Sequence, residues 1–321
     1  MARREIGMLL IAVVCATSMA LSENASAAVE LSLKLNKGKT FYERTAIDQK
    51  MTQEIMGQQQ NAGLTLGMIQ KAEVLETDGQ GNMRIRYTYT WTRLKQEGPM
   101  GAVDYDSAKQ TTPPAGAEGF AALLGQSYSI QISPKGKVLG IEGVKEMAEA
   151  VRKKLPAGSN PDDGPSPLSS FLDEQGIREM TEQSMAVYPE QPVEVGASWT
   201  TKQTMKRGMP MFTESKLILG KRDSGVATIG LVGTIKPDPS GPPMDIQGMK
   251  MKIDMAGTQE STILMNEATG LVQSRKGRQD LKGQIKIGAS AEGPFDMQIP
   301  MTMASTFTIE TSDRPWETKP Q

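Results

Sequence analysis

Three pairs of methionines repeat one spacing: Met209 and Met211, Met249 and Met251, Met301 and Met303. Residues two apart share a face of a strand, so each pair would set two thioethers side by side. Thioethers are soft ligands for Cu(I). They are also flexible packing groups, over-used where a surface must accommodate varied apolar partners. Around the second pair the same face continues through Ile253 to Met255, while Lys250, Lys252 and Asp254 alternate with it. That pattern is what any strand with one buried side produces. It favours a core or a groove lining over a metal site.

Carboxylates offer a second chemistry. Asp104 and Asp106 in "VDYDS" would point to one side of an extended segment. A carboxylate pair can do acid–base or glycosidic work, or hold calcium. Such work needs a carboxyl tuned by burial or by a partner. Short acidic residues beside Ser107 also cap turns in solvated loops, and this plainer reading is favoured. Other signatures fail on spacing. Gly38-Lys39-Thr40 resembles the end of a phosphate-binding loop, but Leu33 stands where the first glycine is required. Ser290 in "GASAEG" lacks the second glycine of a nucleophile elbow, because Glu292 occupies that place.

The absences are sharper. The chain has no histidine, and its one cysteine, Cys15, lies in an apolar leader. Without them the mature chain can build no disulfide, Cys nucleophile, Ser-His-Asp triad or His-ligated zinc or copper. The expectation is a protein that is not an enzyme and needs no metal or other cofactor.

The leader reads as a signal peptide over 1–27. Arg3 and Arg4 precede a short apolar run, and "ASA" at 25–27 supplies the small residues for cleavage after Ala27. The run is too short to span a bilayer as a helix. Val14 is too large for the position before a lipidated cysteine, which argues against an anchor at Cys15. A periplasmic or secreted protein is expected, with no transmembrane segment in the mature chain. Charge is balanced, 36 Lys and Arg against 37 Asp and Glu, so nothing points to nucleic acid as a partner.

Strands must position these residues. In "NMRIRYTYTWTRLK", Met83, Ile85, Tyr87, Tyr89 and Trp91 fall on one face and arginines and threonines on the other. Asp78-Gly79 and the "PKGK" at 134–137 read as hairpin turns. "GVKEMAEAVRKKL" places Val144, Met147, Ala148, Val151 and Leu155 on one helical face. A second helix is expected from Ser166 and Pro167 onward, after a linker, "PAGSNPDDGPSP". The segment 97–119 reads as a long loop.

The two halves parallel one another. "LNKGKTFYERT" matches "VEVGASWTTKQT", "VLETDGQGNMRIRY" matches "LILGKRDSGVATIGL", and "SIQISPKGKVLGIEG" matches "STILMNEATGLVQSRKG", in the same order. The expected fold is mainly β: two similar antiparallel curved-sheet units from an internal duplication, joined by a helical segment, α+β overall. The first unit with its C-terminal helix spans 28–155, the linker and helix 156–192, the second unit 193–313 and a polar tail 314–321.

"LKLNKGKTF", "YDSAKQ", "ISPKGKVLGIEG" and "YPEQPVEVGASW" succeed one another in this order. In them the chain resembles a domain-of-unknown-function family of exported bacterial proteins. The resemblance implies export and fold, and no activity. The repeated curved sheet with helices is also similar to envelope lipoprotein-carrier folds that hold acyl chains, an analogy of fold alone. Met-rich inner faces on such a sheet could line a cavity for a lipid or other hydrophobic ligand. The candidate lining residues are Met249, Met251, Ile253, Met255, Met301, Met303, Tyr87, Tyr89 and Trp91. The function expected is a non-catalytic binding or carrier protein for a lipid-like ligand in the cell envelope. The alternative is a structural or interaction module whose partner is another envelope protein.

Overall fold

The computed structural model describes residues 27–317 except 100, 157–166, 207–209, 239, 242, 247–248 and 289–296. The leader up to residue 26, the Ser166 cap, nearly all of the linker and Met209 therefore lie outside the described residues.

The alternating segments form strands, as their pattern requires. The first half supplies β1 (Thr40–Ile55), β2 (Gln58–Thr77), β3 (Met83–Gly98), β4 (Gly101–Asp106), β5 (Ser127–Ile132) and β6 (Val138–Glu142). The second supplies β7 (Ser198–Met205), β8 (Met211–Asp223), β9 (Val226–Pro237), β10 (Met244–Ile246), β11 (Met249–Asn266), β12 (Val272–Gly288) and β13 (Met297–Ser312). They pair antiparallel in one continuous 13-stranded sheet, ordered β6-β5-β3-β2-β1-β13-β12-β11-β9-β8-β7, with β4 added to β3 and β10 to β11. The halves are thus not separate sheets, because β13 pairs with both β1 and β12 and joins them.

Within that sheet each half runs as a meander in the same direction, and the local devices correspond. Gly38 and Gly196, both in the left-handed region with φ of 87° and 88°, precede β1 and β7. The Gly38 amide donates to the Val74 carbonyl at 2.8 Å, and the Gly196 amide to the Leu219 carbonyl at 2.7 Å. Val74 and Leu219 donate back to Lys39 and Ala197 at 2.9 and 3.0 Å. Next to these anchors the ladders slip, between Val74 and Glu76 in one half and between Leu219 and Lys221 in the other. A second slip falls between Gln131 and Ile132 on β5 and between Leu264 and Met265 on β11.

The helices fill the inside of the curve. α1 (Glu118–Ala122) packs on β3, and α2 (Val144–Arg152) packs on β5. Val144, Met147, Ala148 and Val151 are buried on α2, the face that periodicity marks. After α3 (Pro167–Phe171), α4 (Glu174–Met185) starts at an Asp173 cap, whose carboxylate accepts from the Gly176 amide at 2.8 Å. α4 touches both edge strands, β6 and β7. Arg178 Nη1 donates to the Val138 carbonyl at 3.0 Å, and the Val138 amide donates to Glu182 Oε1 at 3.3 Å. At the other edge the Lys206 amide donates to Glu179 Oε2 at 3.0 Å. Unpaired edge groups invite aggregation unless something covers them. Here one helix bridges the two edges and closes the curved sheet.

The segment 97–119 is not one long loop. β4 folds back on β3 and α1 begins at Glu118, so secondary structure absorbs both of its ends. The tyrosine-bearing strand also departs from strict alternation. Gln70 pairs with Tyr89 and Ile69 with Trp91, leaving Thr90 as a bulge. One extra residue reverses the facing of every later position on the strand. Thr92 and Leu94 consequently turn into the core, and Trp91 lies on the outer face over Gly67, whose missing Cβ would stand 2.7 Å from the indole.

Candidate functional site: a cavity under α4

A cavity of about 370 Å³ lies between the concave face of the sheet and α4. Small-molecule sites typically enclose roughly 300–1,000 Å³. The first half contributes Tyr87, Tyr89 and Tyr128 to its wall, α4 contributes Ile177, Met180 and Met185, and the second half contributes Met211, Ile235 and Met303. The wall is mostly apolar. Beyond Met303 it passes into a second apolar cluster of Met211, Ile235, Met255, Leu281, Met301 and Met303.

The tyrosines form a packed set. The rings of Tyr87 and Tyr128 stack at 5.7 Å between centroids, and Tyr89 lies 6.1 Å from Tyr128. Gln70 Nε2 donates to the Tyr128 hydroxyl at 3.1 Å. Burial pushes the Tyr128 phenol up to about 12 and those of Tyr87 and Tyr89 well above their ordinary value. At neutral pH these hydroxyls can hydrogen-bond but carry no charge.

A polar row crosses the same face. Register places Gln49, Ser305, Gln279, Gln259, Gly233 and Ser215 side by side on successive strands. Gln279 Nε2 donates to Gln259 Oε1 at 3.1 Å, and Gln259 Nε2 donates to Ser215 Oγ at 2.8 Å. The second bond crosses β9 above Gly233, where an added Cβ would lie 2.5 Å from Ser215 Oγ. The glycine is therefore what lets the row close.

Two ionisable groups face the cavity on either side of β13: Glu43 opposite Thr311 and Arg275 opposite Ile309. Two strand spacings and a two-residue offset along β13 separate their backbones by roughly 12 Å, and no ion pair joins them among the described residues. Arg275 is only 7% exposed. Its Nε donates to Ser261 Oγ at 3.4 Å and its guanidinium lies 5.3 Å from the centre of the Phe307 ring. Burial lowers the guanidinium to about 10 and raises the Glu43 carboxyl to about 7. Near neutrality Arg275 stays charged, while Glu43 is close to half protonated.

Of the residues expected to line a site, Tyr87, Tyr89 and Met303 border the cavity. Met255 and Met301 are buried in the adjoining apolar cluster, with Ile253 packed against it. Met249 is 51% exposed and Met251 half-buried, toward the hairpin end of the sheet. Trp91 lies outside the lining, and its Nε1 donates to Asp106 at 2.8 Å. Asp106 also accepts from the Ala108 amide at 3.0 Å, and Asp104 pairs with Arg93 at 3.0 Å. Neither aspartate borders the cavity; the two converge on one guanidinium, Arg93 Nη1 lying 3.0 Å from Asp104 and 3.8 Å from Asp106. Among the described residues no group of three or more His, Cys, Asp or Glu side chains is placed to hold a metal ion.

Sequence reasoning missed Glu43, Arg275 and the polar row. Glu43 had a readable signal, because in "FYERTAI" it shares strand parity with Phe41 and Ile47. Arg275 had a weaker one: "VQSRKGRQD" carries no apolar side chain after its first valine, and only parity with Leu281 further along β12 marks its face.

The fold and the site together define a class: a strongly curved antiparallel sheet closed by a helix around a largely apolar cavity. The chain belongs to a family of unknown function, DUF6263, whose match covers residues 80–272, more than half of the sequence. Among curated proteins none matches it in sequence. It is similar in structure to lipovitellin, from a study of lipid–protein interactions, with a TM-score of 0.46, 12% identity and 89% of this chain covered. The chain spans 27% of the lipovitellin chain. Other similar structures are the translocator domain of the autotransporter NalP from Neisseria meningitidis (TM-score 0.19, 8% identity, 87% and 90% of the two chains) and a DUF1329 family protein from Desulfovibrio piger (TM-score 0.13, 8% identity, 88% of each). No helix among the described residues is long and apolar enough to cross a membrane.

Proposed function

We propose that this chain is a non-catalytic binding or carrier protein that holds a hydrophobic, lipid-like molecule in the cell envelope. The observation that carries this reading is the cavity under α4, with its wall of tyrosine, methionine and isoleucine. The methionines suit the role because unbranched thioether chains re-pack around ligands of different shape. The tyrosines, neutral at physiological pH, add rigid apolar area with a hydrogen-bonding tip. Export through the leader at 1–27 belongs to the same reading.

We also infer that the sheet arose by duplication, with 28–155 and 193–313 as the two copies. The matched glycine anchors and ladder slips support this, as does the common strand order of the meanders. Fusion of two such meanders gives a curved sheet wide enough to enclose a ligand, with β13 between them and α4 across the edges.

Native mass spectrometry of protein purified from its own envelope tests the function, together with displacement of an apolar fluorescent probe. A co-purifying species of lipid-like mass, displaceable by the probe, is expected. A clean apo mass with no probe uptake overturns the reading.

A further inference from the structure

Arg275 presents a problem the fold does not solve by itself. A buried guanidinium is costly unless carboxylates or several hydrogen bonds satisfy it. Arg275 has one long bond from Nε to Ser261 Oγ, at 3.4 Å, and the face of Phe307. Its terminal nitrogens have no hydrogen-bond or carboxylate partner among the described residues, and the side chain borders the cavity. Glu43, a carboxylate-bearing side chain on that wall, stands on the far side of β13 and makes no ion pair with it among the described residues. The protein thus holds a largely buried fork of donors at the edge of an apolar space.

The surroundings give the fork a direction. Gln279, four residues further along β12, and its partner Gln259 on β11 extend the polar patch. Past them the wall becomes Met303, Ile235 and Met211. Polar groups therefore gather at one part of the cavity and adaptable apolar groups at another. We propose that the ligand is an amphiphile bearing a single acidic head, the head bidentate on Arg275 and the chain lying along the methionine wall beneath α4. The proposal rests on the binding function argued above and narrows it to one ligand class by charge complementarity. Planar oxyacids match the guanidinium fork with two parallel hydrogen bonds. A neutral head such as a hydroxyl could accept a hydrogen bond but would leave the positive charge unbalanced. A cationic head would meet it with repulsion. Glu43 does not oppose the acid strongly near neutrality, because burial keeps a large share of it protonated there.

The test is a matched ligand series measured by native mass spectrometry and probe displacement on the full mature chain. Palmitate, hexadecanol and hexadecyltrimethylammonium share one chain and differ in the head. For the wild type, palmitate is expected to bind about tenfold or more tighter than hexadecanol, since a hydrogen bond to a charged group is worth roughly 1.5–3 kcal/mol. The ammonium should bind weakest. In Arg275→Gln the acid preference should fall to about twofold or less while hexadecanol binding survives. Retained hexadecanol binding also shows that the variant is folded. Arg275→Lys keeps the charge but not the fork, and should restore part of the preference. Equal binding of acid and alcohol by the wild type overturns this inference and leaves the hydrophobic carrier standing. So does an acid preference that persists in Arg275→Gln. Failure of every member to bind overturns the carrier reading itself.

Discussion

The two meanders share a frame and differ in what they place on its inner face. β1 to β6 and β7 to β12 have the same strand order, matched glycine anchors and matched ladder slips. The first carries Tyr87, Tyr89 and Tyr128 inward and is covered by α1 and α2. The second carries Met211, Met255, Ser215 and Gln259 inward. Their crowded glycines differ too. Gly67 makes room for a side chain, the Trp91 ring. Gly257 and Gly283 make room for backbone: a Cβ at either would lie 1.8 or 1.9 Å from the carbonyl oxygen of Asp280 or Asp254. The turns and bulges set where the strands run, and the inner-face residues set how tightly the sheet coils and what it encloses.

The largest effect should come from breaking that tight coil. Gly257→Ala forces β11 and β12 apart, since the obstacle is a carbonyl that cannot rotate away. A loss of about 2–4 kcal/mol is expected by chemical denaturation, in the range of severe core changes. Gly63→Ala in the first half meets nothing within 4 Å and should cost less than about 0.5 kcal/mol. Similar costs at both sites would show that the close approach of β11 and β12 is not a constraint.

The next effect is electrostatic and sits at the seam of the halves. Glu43 rises from 4.5 to about 7 on folding because of burial. Between those values the folded chain binds more protons than the unfolded one, so stability falls as pH rises from about 4.5 through 7. Tyr87 from β3, Tyr128 from β5, Tyr188 after α4 and Arg275 from β12 are the titratable groups around it. The tyrosines stay neutral and Arg275 stays charged throughout this window. Glu43→Gln should therefore flatten the stability profile between pH 5 and 8. It should stabilise the protein at pH 8 by up to about 3 kcal/mol. Parallel profiles for variant and wild type would show that Glu43 is not desolvated.

How much of this was legible depends on contrast. Where apolar and polar residues alternate cleanly, as from Met83 to Tyr89, the strand and its buried face can be read off directly. The pattern fails at Thr90 because a bulge adds a residue without changing composition, and Trp91 is turned out by it. The cavity was half legible. Tyr87, Tyr89 and Met303 lie on recognisable faces, but α4 reaches them only through tertiary closure of the two sheet edges. Gln259 shares strand parity with Met255 and Ile263, and Arg275 with Leu281, so their face was readable, but a polar residue interrupting an apolar face reads as a break in it and not as a buried group. The turns at Gly38 and Gly196 were legible because such anchors are local: glycine announces a left-handed turn by its type alone.

Those two glycines give the smallest effect and the most direct test of the correspondence. Both have φ near +88° and neither has an atom within 4 Å of an added Cβ. Alanine at either site meets no steric obstacle beyond its own backbone, so the cost is that of a left-handed residue, about 1–2 kcal/mol. Each anchor then donates to the neighbouring strand, to Val74 on β2 or to Leu219 on β8, with nearly equal geometry. If the halves are built alike, Gly38→Ala and Gly196→Ala should lower stability by amounts equal within about 0.5 kcal/mol, and the double variant should lose their sum. A gap above about 1 kcal/mol would mean that one anchor holds its meander more loosely than the other. The shared frame would then be a likeness of path without a likeness of energetics.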